Sequence, residues 1–148
     1  MMTALVQLLT SFVASAAFAL LFNVPQNHLA LAGATGMLGW MGYYGLLRAD
    51  ADPVIATWLA AFVVSFVSRW FAKRFKAPIT VYNVSGIVPL VPGGAAYAAM
   101  RNVVLDRYDE AVQQAFQAFT LSGAIAFGLV LSEVIHLTLR RSGSKSGL

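Results

Sequence analysis

The chain has 148 residues, 59% of them hydrophobic and only 11% charged, against roughly 25% charged in an average soluble domain. This composition excludes most soluble enzymes, and the absence of Cys excludes disulfides, thiolate zinc sites, iron–sulfur clusters and cysteine nucleophiles. The formal charge of +4 comes from cations clustered beside apolar runs, a pattern of membrane topology and not of nucleic-acid binding.

Five apolar runs follow one another: Met2 to Phe22, Leu29 to Leu47, Pro53 to Phe71, Ile79 to Met100 and Ala115 to Leu139. Each is close to the ~20 residues a helix needs to cross the hydrocarbon core. The prediction is an all-α, polytopic integral membrane protein with five transmembrane helices in one domain, residues 1–141. A polar Gly/Ser-rich tail, residues 142–148, is expected to be disordered. In the first run, Ala14-Ser15-Ala16 has the look of a signal cleavage site. No Lys or Arg precedes it, however, and the run is long for a signal, so it is read as a span. Asn23 and Pro25 end that helix and Asn27 is a candidate cap for the second.

The second run carries Gly33, Gly36, Gly39, Gly42 and Gly45. A step of three residues falls about 60° short of a turn, so these glycines spiral around the helix. Together with the Ala32/Gly36 and Thr35/Gly39 pairs they are predicted to let neighbouring helices approach closely. Asp52 followed by Pro53 reads as an N-cap with proline at the first helical position of the third run.

The fourth run contains Asn83-Val84-Ser85-Gly86-Ile87-Val88-Pro89-Leu90-Val91-Pro92-Gly93-Gly94. Two prolines without amide donors and two glycines disfavour a continuous helix. A break is expected at this Pro-x-x-Pro-Gly-Gly segment, with a first half ending near Val88 and a second beginning near Pro92. In lipid, freed backbone groups are tolerated only beside protein or a water-filled cavity. A half-helix N-terminus at mid-membrane is a recurring device for holding anionic substrate groups in secondary transporters. The amides of Gly93, Gly94 and Ala95 are candidate donors, with Asn83, Ser85, Pro89, Pro92 and Tyr97 as neighbouring site residues.

Glu133 in the fifth run is the one acid inside any of the runs, with His136 three residues on. A carboxylate in lipid costs at least ~2.5 kcal/mol, so it should face protein or water. Ala115, Ser122 and Ala126 share its side of the helix and are expected to pack inward. The Glu133–His136 pair is a candidate proton-coupling site; pairing of Glu133 with Arg140 or Arg141 is the simpler alternative.

Arg69, Lys73, Arg74 and Lys76 follow the third run, and Arg140, Arg141 and Lys145 follow the fifth. Placing both clusters in the cytoplasm puts the N-terminus outside and the C-terminus inside. Seven basic residues then lie inside and three outside, against six and four if the fourth run is re-entrant. A Ser85/His136 dyad is conceivable in space, but Asn83 stands where a Gly-x-Ser-Gly pattern has its first glycine, and Ser85 is expected to bond within its helix. No catalytic role, metal site or cofactor is expected.

Phe22-Asn23-Val24-Pro25, Gly36-Met37-Leu38-Gly39-Trp40 and Ile87-Val88-Pro89-Leu90-Val91-Pro92-Gly93-Gly94, followed by Tyr97 and Met100, resemble the threonine/serine exporter family. The chain is most similar to its short, split-gene members, which correspond to the C-terminal membrane half of the fused exporters. The resemblance covers nearly the whole chain. It implies an inner-membrane, multi-pass subunit working with a larger membrane partner to export small amino acids or dicarboxylates such as succinate. It carries over to Asn23, Pro25, Pro89, Pro92, Gly93 and Tyr97, whereas Glu133 and His136 rest on membrane electrostatics alone. An odd span count implies two halves inserted in opposite senses with a site between them. The competing class is a non-transporting scaffold or assembly subunit whose glycine-rich helix packs on a partner.

Overall fold

A computed structural model describes residues 2–144, and among them every regular element is helical. The helices are α1 (Met2–Leu21), α2 (Gln26–Arg48), α3 (Pro53–Phe75), α4 (Ile79–Ile87), α5 (Gly93–Val104) and α6 (Tyr108–Ser144), with a single 3₁₀ turn at Val88–Leu90. The rest of the expected tail, residues 145–148, lies outside the described residues.

The turns after α1, α2, α3 and α5 are short because each turns on a residue in the left-handed backbone conformation. Asn23, Asp50, Lys76 and Asp106 have φ between 53° and 58°. After α1, the Val24 amide donates to the Ala19 carbonyl and the Asn23 amide to that of Leu20, the paired bonds of a Schellman motif. The same pairing recurs at Asp50–Ala51 and Asp106–Arg107. End carbonyls of the helices are thereby satisfied within the chain. At the start of α3, the Asp52 carboxylate accepts from the amides of Val54 (2.8 Å) and Ile55 (3.4 Å), as Asp-Pro predicts. Asn27 does not cap α2, whose N-cap position is held by Pro25 without a side-chain bond.

Hydrophobic burial cannot drive helices together inside lipid, so close packing of small residues must do so. Ser11, Ser15 and Ala19, one turn apart on α1, are buried against α2, which buries Ala32, Gly33, Thr35, Gly36 and Gly39. The glycine spiral meets different neighbours as it turns. A Cβ on Gly33 would touch Phe12 at 2.8 Å, one on Gly36 would overlap Ser15, and one on Gly39 would overlap Val64 of α3. Gly42 and Gly45 have nothing within 4 Å, so the expected packing role stops at Gly39. α2 is thus enclosed by α1, α3 and α4.

Three helices are long and apolar enough to cross a membrane: α1, α3 and α6. A fourth span arises if Ile79–Leu90 and Gly93–Val104, bent by 49°, count as one. The fifth expected span, α2, has the length but not the apolarity. Its five glycines, Gln26, Asn27 and His28 dilute Leu and Met, and its most closely packed face lies against protein.

α6 lies on α3 and α5. Gly128 is buried, and a Cβ there would stand 2.6 Å from the Trp58 carbonyl oxygen and 3.1 Å from the Ala61 Cβ. The buried face of α6 comprises Ala111, Leu121, Ala124, Ile125, Gly128 and Ser132. Ala115, Ser122 and Ala126, expected to pack inward, are exposed. The reason is that Gly128 sets the rotation of the helix, and it lies well round the wheel from Glu133.

Candidate functional site

The path of the fourth run is set by its prolines. α4 stops at Ile87, Pro89 sits in the 3₁₀ turn, and Val91 is extended (φ −61°, ψ 128°) before Pro92 leads into α5. The Val91 amide returns to the Val88 carbonyl at 3.2 Å. Pro92, at φ −76° and ψ 51°, sits near the inverse γ-turn conformation, and across it the Gly93 amide donates to the Val91 carbonyl at 2.7 Å. One of the three expected free donors is therefore occupied. The amides of Gly94 and Ala95, in the first turn of α5, have no intrahelical acceptor, while that of Ala96 bonds to Pro92.

The predicted site residues divide between two sides of this break. Gly93 and Gly94 are exposed, with nothing within 4 Å of a Cβ on either, and Tyr97 is 70% exposed. Ser85 faces the opposite way, buried, with its hydroxyl donating to the Val81 carbonyl at 3.0 Å. No hydrogen bond joins it to His136 among the described residues. Pro89 faces α1 and α2, its Cγ 3.4 Å from where a Gly36 Cβ would stand. Pro92 is half-buried between the two groups, and Asn83 is half-buried with an unpartnered Oδ1. The seven residues thus do not form one enclosed cavity within this chain. The α5 N-terminus is presented outward.

Gly86 escaped the sequence reading. A Cβ there would meet Thr35 at 2.7 Å and Val64 at 3.0 Å, so this glycine seats α4 between α2 and α3 and fixes where the break falls. Its signal was available, as a small residue one turn before the first proline.

Glu133 pairs with a cation on another helix, and no bond joins it to His136 among the described residues; the side chains of Arg140 and Arg141 lie outside the described residues. Its Oε2 lies 2.5 Å from Nη2 of Arg69 on α3, with Arg69 14% and Glu133 52% exposed. Arg69 had been counted only as a topology marker, and nothing in the sequence spacing brings position 69 beside position 133. Because Arg69 is the more buried partner, removing Glu133 strands a cation. Glu133→Gln is expected to cost about 1–3 kcal/mol, less than a fully buried pair because the acid is half-exposed. The double change Arg69→Met with Glu133→Leu should recover most of that loss. Unfolding midpoints in detergent for the two single variants and the double variant check this as a mutant cycle.

His28 and Tyr82 form a second polar pair missed by sequence. Tyr82 is fully buried against Phe71, and its hydroxyl lies 2.7 Å from His28 Nδ1. The pair ties the first turns of α2 and α4 together at the end of the bundle that carries Lys73, Arg74 and Lys76. Among the described residues no three His, Asp or Glu side chains converge as a metal site.

Residues 7–135 match the model of a family described as "Threonine/Serine exporter, ThrE". A threonine/serine exporter of Corynebacterium glutamicum is 33% identical over 87% of this chain and 26% of its own length. A probable threonine/serine exporter of Mycobacterium tuberculosis is 32% identical over 83% of this chain and 23% of its own. An uncharacterized protein of Haemophilus influenzae is 31% identical over 88% of this chain and 47% of its own. The chain therefore spans half or less of these relatives. No solved structure matches.

Proposed function

The chain belongs to the threonine/serine exporter family, and from that premise we propose that it is the small membrane subunit of a secondary exporter working with a larger membrane partner. Its cargo is a small amino acid such as threonine or serine, or a small dicarboxylate such as succinate. The observation that carries this reading is the interrupted helix between Ile87 and Gly93, which turns the first turn of α5 outward with free amides at Gly94 and Ala95. Free donors at a half-helix N-terminus suit a carboxylate, which both cargo classes possess.

In this reading α4 and α5 together make one bent crossing, and α2 is a fifth, interior crossing shielded from lipid by its neighbours. The basic end of the bundle is cytoplasmic, and the N-terminus lies outside the inner membrane. The outward-facing Gly93, Gly94 and Tyr97 meet the larger partner, so the substrate site is shared between two halves inserted in opposite senses. Partial coverage of longer relatives supports such a partner. Glu133 and His136 form the proton-coupling element, with Arg69 added as the ion-pair partner of Glu133.

The test is efflux of L-threonine, L-serine and succinate from vesicles containing this chain with its larger partner, and with either alone. Efflux that requires both chains is the expected result. Co-purification of the two chains without flux of any of the three solutes would refute the exporter reading in favour of a scaffold.

A further inference from the structure

On the side of the break away from Gly93 lies a second feature, a groove of about 210 Å³ between α1, α2 and the 3₁₀ turn. It is lined by Gln7, Thr10, Ser11, Ala14, Trp40 and Pro89. Its volume is the share of roughly seven liquid waters, room for one solute the size of serine or threonine. We propose that this groove is a binding site for a small solute of zero net charge, a station on the transport route distinct from the α5 N-terminus. The proposal rests on the exporter reading.

The polar groups are held in place. Trp40 Nε1 donates to Gln7 Oε1 at 2.7 Å, joining α1 to α2 and leaving the Gln7 Nε2 donors directed elsewhere. The Ser11 hydroxyl donates to the Gln7 carbonyl at 2.8 Å and that of Thr10 to the Val6 carbonyl at 2.8 Å. Both hydroxyl oxygens therefore keep lone pairs for N–H or O–H groups of a ligand. One turn beyond Ser11 on the same face, Ser15 is fully buried with an unpartnered Oγ, at the spot where Gly36 and Pro89 converge. Ser15 is enclosed between α1 and α2 and does not line the groove, whose polar contacts are those of Gln7, Thr10, Ser11 and Trp40.

The lining residues carry no formal charge. A zwitterion, with its ammonium on the hydroxyl oxygens and its carboxylate on the Gln7 amide, balances internally. A dicarboxylate would bring two negative charges into a low-dielectric site with no cation to offset them. The groove lies toward the α1 N-terminus and away from the basic end, where Tyr82, Phe71 and His28 are packed shut. Its accessible side is therefore the side opposite the cytoplasm in the topology proposed above.

The chain has no Cys, so single cysteines can be introduced directly. In the assembled complex, Thr10→Cys, at the exposed rim of the groove, should react with a membrane-impermeant methanethiosulfonate added from outside, and L-threonine should slow the reaction at least fivefold while succinate does not. Val13→Cys, 60% exposed on another face of α1, should show no protection by either solute. Gln7→Leu should raise the half-saturating L-threonine concentration for efflux about fivefold or more, the worth of one lost hydrogen bond, with membrane levels unchanged. Equal protection by succinate, or no protection together with unaltered Gln7→Leu efflux, overturns the groove proposal. Failure of the unmodified complex to export any solute refutes the exporter reading instead, and the labelling comparison still decides the groove.

Discussion

Replacing Gly128 with leucine is expected to separate α6 from α3 and to give the largest loss of stability of any single change considered. A Cβ at Gly128 stands 2.6 Å from the Trp58 carbonyl oxygen and 3.3 Å from the Phe62 amide nitrogen, so the obstacle is main chain that cannot rotate aside. Overpacking of a tight interface costs about 1–3 kcal/mol and occasionally more. A collision with backbone belongs at or above the top of that range. Gly123→Leu, on the same helix with nothing within 4 Å, should change stability by less than about 1 kcal/mol. Unfolding midpoints in detergent check the pair; equal effects at the two positions would show that α6 is not seated through Gly128.

Gly93→Leu should give the opposite separation, with export reduced at least tenfold and insertion and stability preserved. Gly93 has no neighbour within 4 Å and no positive φ, so leucine fits without strain, and it is a better helix former by several tenths of a kcal/mol. Its side chain would stand over the first turn of α5, where the Gly94 and Ala95 amides are free. Efflux measured at matched membrane levels checks this. Normal export by the variant removes the α5 N-terminus from the substrate path.

Both outcomes depend on how far one-dimensional information reaches. The helices and their turns were legible because they rest on local chemistry: the Asp52 carboxylate beside Pro53, the left-handed Asn23, the prolines flanking the break. The clash pattern of Gly33, Gly36 and Gly39 was legible in kind, since a three-residue step must rotate from one neighbour to another. Where the spiral ceases to matter was not, because Gly42 and Gly45 differ from Gly39 only in what lies opposite. The inward face of α6 was misread for a related reason. An acid in an apolar run marks the buried side by its cost in lipid, but the interior is chosen by Gly128, and Glu133 reaches an arginine on a different helix. The fifth span was counted by length, whereas α2 is dilute in apolar side chains and trades lipid contact for protein contact. The candidate site was legible as a list of residues but not as a geometry. Ser85 and Gly93 sit eight positions apart on opposite sides of a bend, and no spacing rule sets the direction of a chain after a 3₁₀ turn.

The principal neighbours of α2, namely α1, α3, α4 and the 3₁₀ turn, lie within the first ninety residues. A nascent chain can therefore close this cluster, with its Gln7–Trp40 and His28–Tyr82 ties, while the last helix is still inside the ribosome. Translation then delivers α6 as a late clasp along α3, and the order of synthesis coincides with the order of assembly. Truncation after the first ninety residues should accordingly leave a folded remnant that retains these ties.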